Sequence, residues 1–183
     1  GVNALSGARR ILERFERIDL GVPDHAAFGP ATLTPTAIES APRATHTVPD
    51  TVRITFDRRL LPGEDAGAAF EAIVDQTQVD EPWRASVKRG PIMYPNEIRT
   101  DGWLYGKIED AFAAAALGAP EPFACNFALD AGYFARRGIE AVMLGPGEVD
   151  QFHSNEEHVL IDDLVAMANV YYGLVRVCLC SGA

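Results

Sequence analysis

Residues 51–65 read TVRITFDRRLLPGED, and the order of polar and apolar side chains in them decides how the first half of the chain folds. Val52, Ile54 and Phe56 fall on one face of an extended segment, and Arg53, Thr55 and Asp57 on the other. That two-residue period predicts a strand over 51–60. Leu-Pro-Gly then breaks the run, and Ala66, Ala69, Phe70, Ile73 and Val74 take up helical spacing over 65–77. Towards the N-terminus, ATLTPTAIES at 31–40 alternates and predicts a second strand, in which Pro35 marks an edge or a bulge. Before it, Val2, Leu5, Ile11, Leu12, Phe15 and Ile18 form a helical stripe over 2–18. Beyond the second helix, WRASVKR at 83–89 alternates as a third strand.

Helix, strand, strand, helix, strand is the order of the ferredoxin-like plait without its first strand. In that plait the first strand lies inside the sheet, between the third and the last. Without it, the strand at 83–89 has a row of unpaired backbone groups. We expect the slot to be filled by a strand upstream of Gly1 in a longer parent protein, or by another segment. Position 1 is not a methionine, which fits a chain taken from something longer.

After GPIMYPNEIRTDG (90–102) the pattern changes. An alanine-rich helix is predicted over 103–117, a buried strand at EPFACNFAL (121–129) and a short helix at DAGYFARRG. A second buried strand follows at IEAVMLG (139–145), then a long helix over 162–180. Apolar strands alternating with helices indicate part of an α/β sheet. The fold class expected is therefore α+β: a plait lacking its first strand over 1–98, then a partial α/β segment over 99–183.

With 183 residues, 48 % of them apolar and 23 % charged, the chain has the balance of a globular protein. Its net charge of −10 argues against a nucleic-acid or anionic-membrane surface, since both need clustered Lys and Arg. The apolar stretch Leu164 to Leu174 is too short to span a bilayer. No signal-like start is present. Cys125, Cys178 and Cys180 contain no Cys-x-x-Cys pair and read as free thiols of a cytoplasmic protein.

Four motifs now stand in order: GVNAL opening the first helix, VPDTVRITFDRRLLPGE, LDAGYFARRGIEAVMLGPG and HSNEEHVLIDDL. In order and spacing the chain resembles the zinc aminoacylase, acetylornithine deacetylase, succinyl-diaminopimelate desuccinylase and carboxypeptidase G family. The resemblance implies a two-domain metallohydrolase, with a dinuclear zinc centre in an α/β catalytic domain and an inserted ferredoxin-like lid that dimerises. This chain would supply the lid from its first helix onward and the C-terminal part of the catalytic domain. The family's His-x-Asp and Glu-Glu segments, which carry most metal ligands and the general base, have no counterpart here, so no catalytic residue is assigned in this chain.

Residue by residue, the resemblance makes His153 the last metal ligand, and a neutral imidazole on a turn after a strand suits zinc. Glu157 would orient that imidazole or its turn. Gly145, Pro146 and Gly147 match a loop that approaches substrate with its backbone. Arg59 matches the arginine of the Asp-x-Arg strand, suited to a substrate carboxylate. His46 stands where the family has Asn in Asn-x-x-Pro-Asp, which bears on the substrate. Asp130 matches the aspartate that starts a short helix, where capping is an equal role. Without the motifs, His153 and Arg59 would pass as surface residues, and His25 and His158 are read as such.

The function expected is part of a zinc-dependent hydrolase that cleaves an amide bond of an N-acyl amino acid or small peptide. Two zinc ions are expected in the parent and none at full occupancy in this chain, which alone is expected to be inactive. A homodimer through residues 1–98 is expected. The alternative is a non-catalytic dimerisation or binding module. A regulatory plait fits less well, having no use for the segment around His153.

Overall fold

A computed structural model describes residues 1–180. It divides into two compact units, Gly1–Pro95 and a second that begins at Asn96, within the Pro- and Gly-rich connector.

The first unit contains α1 (Ala4–Phe15), β1 (Thr32–Ala41), β2 (Thr51–Arg59) and α2 (Ala66–Gln76). Asn3 starts α1 by accepting the Leu5 N–H through its side-chain oxygen at 3.0 Å. The helix packs on the hairpin through Phe15, which is buried and meets the Phe56 ring edge-on at 5.0 Å. β1 and β2 are antiparallel, with Thr32 opposite Arg59 and Ala41 opposite Thr51. The register slips between Pro35 and Ala37, at the residue that cannot donate a ladder hydrogen bond. Asp65 caps α2 by accepting the Ala68 N–H at 2.8 Å. From the last turn of α1, Arg14 donates to the carbonyls of Gln76 and Gln78 at 2.7 and 2.5 Å, a cation tying off the far end of α2.

The strand expected at 83–89 is not formed, and of the expected helix, strand, strand, helix, strand order the described residues show the first helix, the hairpin and the second helix. Trp83 instead docks on α1. Its indole N–H donates to the Asn3 carbonyl at 2.9 Å, and the Arg10 guanidinium lies 4.5 Å over the ring. A Cβ at Gly7 would fall 2.7 Å from that ring, so only glycine leaves room for it. The physical reason is pairing: a strand needs a hydrogen-bonded neighbour, and the only sheet among the described residues is the β1–β2 pair.

The second unit contains α3 (Trp103–Ala114), α4 (Ala131–Ala135) and α5 (Ile161–Leu179), with a 3-10 turn at Val149–Gln151. α3 and α5 cross where Gly173 faces Ala111, and a Cβ there would sit 3.3 Å from the Ala111 carbonyl oxygen. Ala111 and Val170 are fully buried at this crossing. Gly102 gives α3 no capping side chain, and Glu140 serves instead by accepting the Leu104 N–H at 3.3 Å.

The strands expected at 121–129 and 139–145 are likewise not formed. Along the first of these segments Cys125, Phe127 and Leu129 are half-buried, while Ala124, Asn126 and Ala128 are exposed. The side chains thus alternate as on a strand, but no ladder holds the backbone. The outward face of α5 is apolar, with Ile161 77 %, Tyr172 66 % and Leu179 79 % exposed. No helix among the described residues is long and apolar enough to cross a membrane. The three cysteines are free, Cys180 exposed and the others half-buried.

Candidate functional site

His153 lies on the loop between the 3-10 turn and α5, exposed, with a backbone φ of 63°. Left-handed backbone is uncommon for a residue with a Cβ and persists where neighbours hold it. Here the holder is Glu157, whose Oε2 accepts the His153 main-chain N–H at 3.0 Å. Glu157 therefore fixes the turn rather than the imidazole. Beside the imidazole stands Phe127, ring centroids 6.4 Å apart, and Phe127 also meets Phe152 at 5.3 Å. Phe127 thus links the imidazole of His153 to the Phe152 ring.

The Gly-Pro-Gly turn belongs to the same unit. Gly147 has φ 121°, which only glycine takes without strain, and a Cβ there would lie 3.7 Å from the Phe152 ring. Gly145 carries no such backbone demand. The carbonyl just before it, on Leu144, accepts a 2.6 Å hydrogen bond from the Tyr171 hydroxyl on α5. Asp130 occupies the first position before α4 but makes no side-chain cap bond, so the capping role is not observed. His158 is exposed and bonds through Nδ1 to the Glu156 carbonyl at 2.7 Å.

Arg59 and His46 lie in the first unit, at opposite ends of the hairpin. Arg59 closes β2 and His46 sits in the turn before it, beyond a nine-residue strand. At about 3.3 Å per residue that separates them by roughly 25 Å or more, so the two do not converge. Arg59 is exposed, its Nε 2.7 Å from the Asp57 carboxylate on the same face. His46 is exposed beside the Thr45 hydroxyl. His25 is half-buried rather than a plain surface residue; its Nδ1 accepts the Ala27 N–H at 3.2 Å and its ring lies against Phe28.

Sequence reasoning missed the neighbour. Arg58 is nearly buried and pairs with the equally buried Glu64, whose other oxygen accepts the Leu61 N–H at 2.5 Å. This pair staples the Leu-Leu-Pro-Gly turn shut. Its signal in the sequence was an arginine and an acid bracketing a Pro-Gly turn on the apolar side of the strand. The Tyr171 tether had no signal beyond an aromatic in the helical stripe.

Among the described residues no group of three or more His, Cys, Asp and Glu side chains stands together so as to hold a metal ion. One oxygen of Glu157 is already engaged with backbone. The exposed imidazole of His153 could serve a metal as a single nitrogen donor, and a complete site would need further donors beyond it.

Comparison with known proteins gives the family. Residues 3–177 match the family model described as peptidase family M20/M25/M40. An acetylornithine deacetylase of Myxococcus xanthus is 28 % identical over 177 residues, covering 90 % of this chain. The chain spans 44 % of the length of that relative. A family match running through both units, and not one borrowed segment, decides the matter: the chain belongs to peptidase family M20/M25/M40.

Proposed function

We propose that this chain is part of a zinc-dependent hydrolase that cleaves the amide bond of an N-acyl amino acid or small peptide. The observation that carries the proposal is the family match across residues 3–177, with His153 held on an exposed loop beside Phe127 inside it. The similarity to an acetylornithine deacetylase points to a small acylated amino acid as substrate class. Zinc, when bound, supplies Lewis acidity and an activated water. His153 would give one nitrogen ligand, its turn fixed by the Glu157 carboxylate. The remaining ligands and the general base come from the part of the parent outside this chain, and the chain alone is inactive.

Gly145 and Gly147 would bring main-chain groups to the substrate. Arg59 would offer its guanidinium to a substrate carboxylate, exchanging its exposed contact with Asp57 for the ligand. His46, in place of an asparagine, would tune which acyl group or carboxylate is accepted. Residues 1–98 would act as the dimerising lid, with 99–183 contributing to the catalytic domain, in a cytoplasmic enzyme. The sheet has two strands among the described residues, and an edge strand suits the addition of a neighbour's strand, which supports the dimerisation reading. The test is His153→Ala in the full-length parent, read by bound zinc and by hydrolysis of N-acetyl amino acids. We expect turnover to fall at least about a hundredfold with loss of metal. Retention of both would remove His153 from the centre.

A further inference from the structure

We propose that Tyr171 is a positioning residue for the Gly-Pro-Gly turn, acting on substrate binding through the main chain. Its hydroxyl donates to the Leu144 carbonyl at 2.6 Å, immediately before Gly145. A Cβ on Gly145 would meet the same hydroxyl at 3.6 Å, so the tether and the turn are in contact. α5 is the rigid support. It is nineteen residues long (Ile161–Leu179) and is anchored against α3 by fully buried Val170 next to Tyr171 and by Gly173 two residues on.

The loop from Leu144 to Glu157 is thereby held at both ends by a side chain on backbone. Tyr171 grips its start and Glu157 grips His153 near its close. Between these grips, Gly147 in the left-handed region and Phe152 against Phe127 define the path. A turn that meets a ligand with backbone groups depends on how closely that backbone is pre-set, because a bound conformation already populated costs less to select. The two tethers should have separate consequences: loss of the Tyr171 hydroxyl loosens the turn, while loss of the Glu157 carboxylate loosens His153.

This inference rests on the proposed role of Gly145 and Gly147 in substrate binding, and the experiment separates the two. In the full-length parent, Tyr171→Phe removes only the hydroxyl. We expect KM to rise roughly three- to tenfold, with kcat within about twofold and zinc content unchanged. In the same chain, hydrogen–deuterium exchange at the amides of residues 145–152 should quicken by a similar factor, while α3 and α5 exchange as before. Faster exchange with unchanged KM would keep the tether but overturn its part in binding, whereas an unchanged KM in Gly147→Ala would overturn the substrate role of the turn itself. Unchanged exchange would overturn the tether itself. A fall in kcat accompanied by loss of zinc would show that Tyr171 supports the metal loop instead, contradicting the assignment.

Discussion

The hairpin at 32–59 and the apolar segments at 121–129 and 139–145 were all expected to be strands, yet only the hairpin carries a ladder. The hairpin contains its own neighbour: β1 and β2 are consecutive in the chain and run antiparallel, so each satisfies the other. Segments rich in apolar residues on both faces suit a parallel sheet, whose partners are distant in sequence. Within the described residues those partners are not adjacent, and the segments keep alternate burial without a ladder. Helices behave otherwise, because their hydrogen bonds close within the segment. Among the described residues five helices therefore form, two in the first unit and three in the second, including α5 with one apolar face turned outward. Local hydrogen bonding survives; pairing over distance does not.

That contrast can be broken by mutation. The largest effect should come from the first unit, where Phe15→Ala removes a buried ring from the hairpin's cover. We expect a loss of about 3 kcal/mol or more in denaturant unfolding followed by Trp83 fluorescence. Ile161→Ala, on the outward face of α5, should cost under roughly 0.5 kcal/mol when followed by Trp103, despite removing as apolar a side chain. A comparable cost at both positions would mean that the α5 face is covered after all.

Two adjacent arginines sharpen the same point within one strand. Glu64→Ala leaves the nearly buried Arg58 charge without its partner and should cost about 3 kcal/mol. Arg59→Ala, at the exposed end of β2, should change stability by less than about 0.5 kcal/mol. Equal losses would contradict the burial difference. On the helix pair, Gly173→Ala presses a methyl group on the Ala111 carbonyl at 3.3 Å and should cost on the order of 1 kcal/mol.

The smallest effect is electrostatic. Asp101, hydrogen-bonded to Arg99 ahead of α3, titrates below the ordinary carboxylate range, first through that hydrogen bond and then through the guanidinium charge. A depressed carboxylate adds stability above its unfolded pKa and loses it as pH falls through the folded one. The pair is fully exposed, so its contribution should be slight. Its direct measure is a carboxyl titration by NMR, with a midpoint that moves up in Arg99→Gln.

Legibility in the sequence followed the same division. The helical stripes placed α1, α2, α3 and α5 within a few residues of their observed ends, and alternation placed β1 and β2. Pro35 lies where the register slips. Alternation at WRASVKR was equally clean, yet Trp83 found a better partner in the notch at Gly7. Periodicity reports which face of a segment is apolar; it does not report whether a neighbour exists. Gly147 takes the positive φ that a Gly-Pro-Gly turn suggests, and His153 stands on a loop beyond the apolar segment, as its motif implied. The Arg58–Glu64 staple is a side-chain pair hidden by a turn, and the Tyr171 tether joins a side chain to a distant main-chain carbonyl, so composition and spacing pass over both.

Whether His153 can hold a metal without donors from outside this chain is the central question. Zinc content of the purified chain, measured after dialysis against metal-free buffer and paired with an amidase assay on N-acetyl amino acids, addresses that directly. A single imidazole predicts well under one zinc per chain and no turnover. One tightly bound zinc per chain, with turnover abolished by His153→Ala, would show a complete site here and contradict the account.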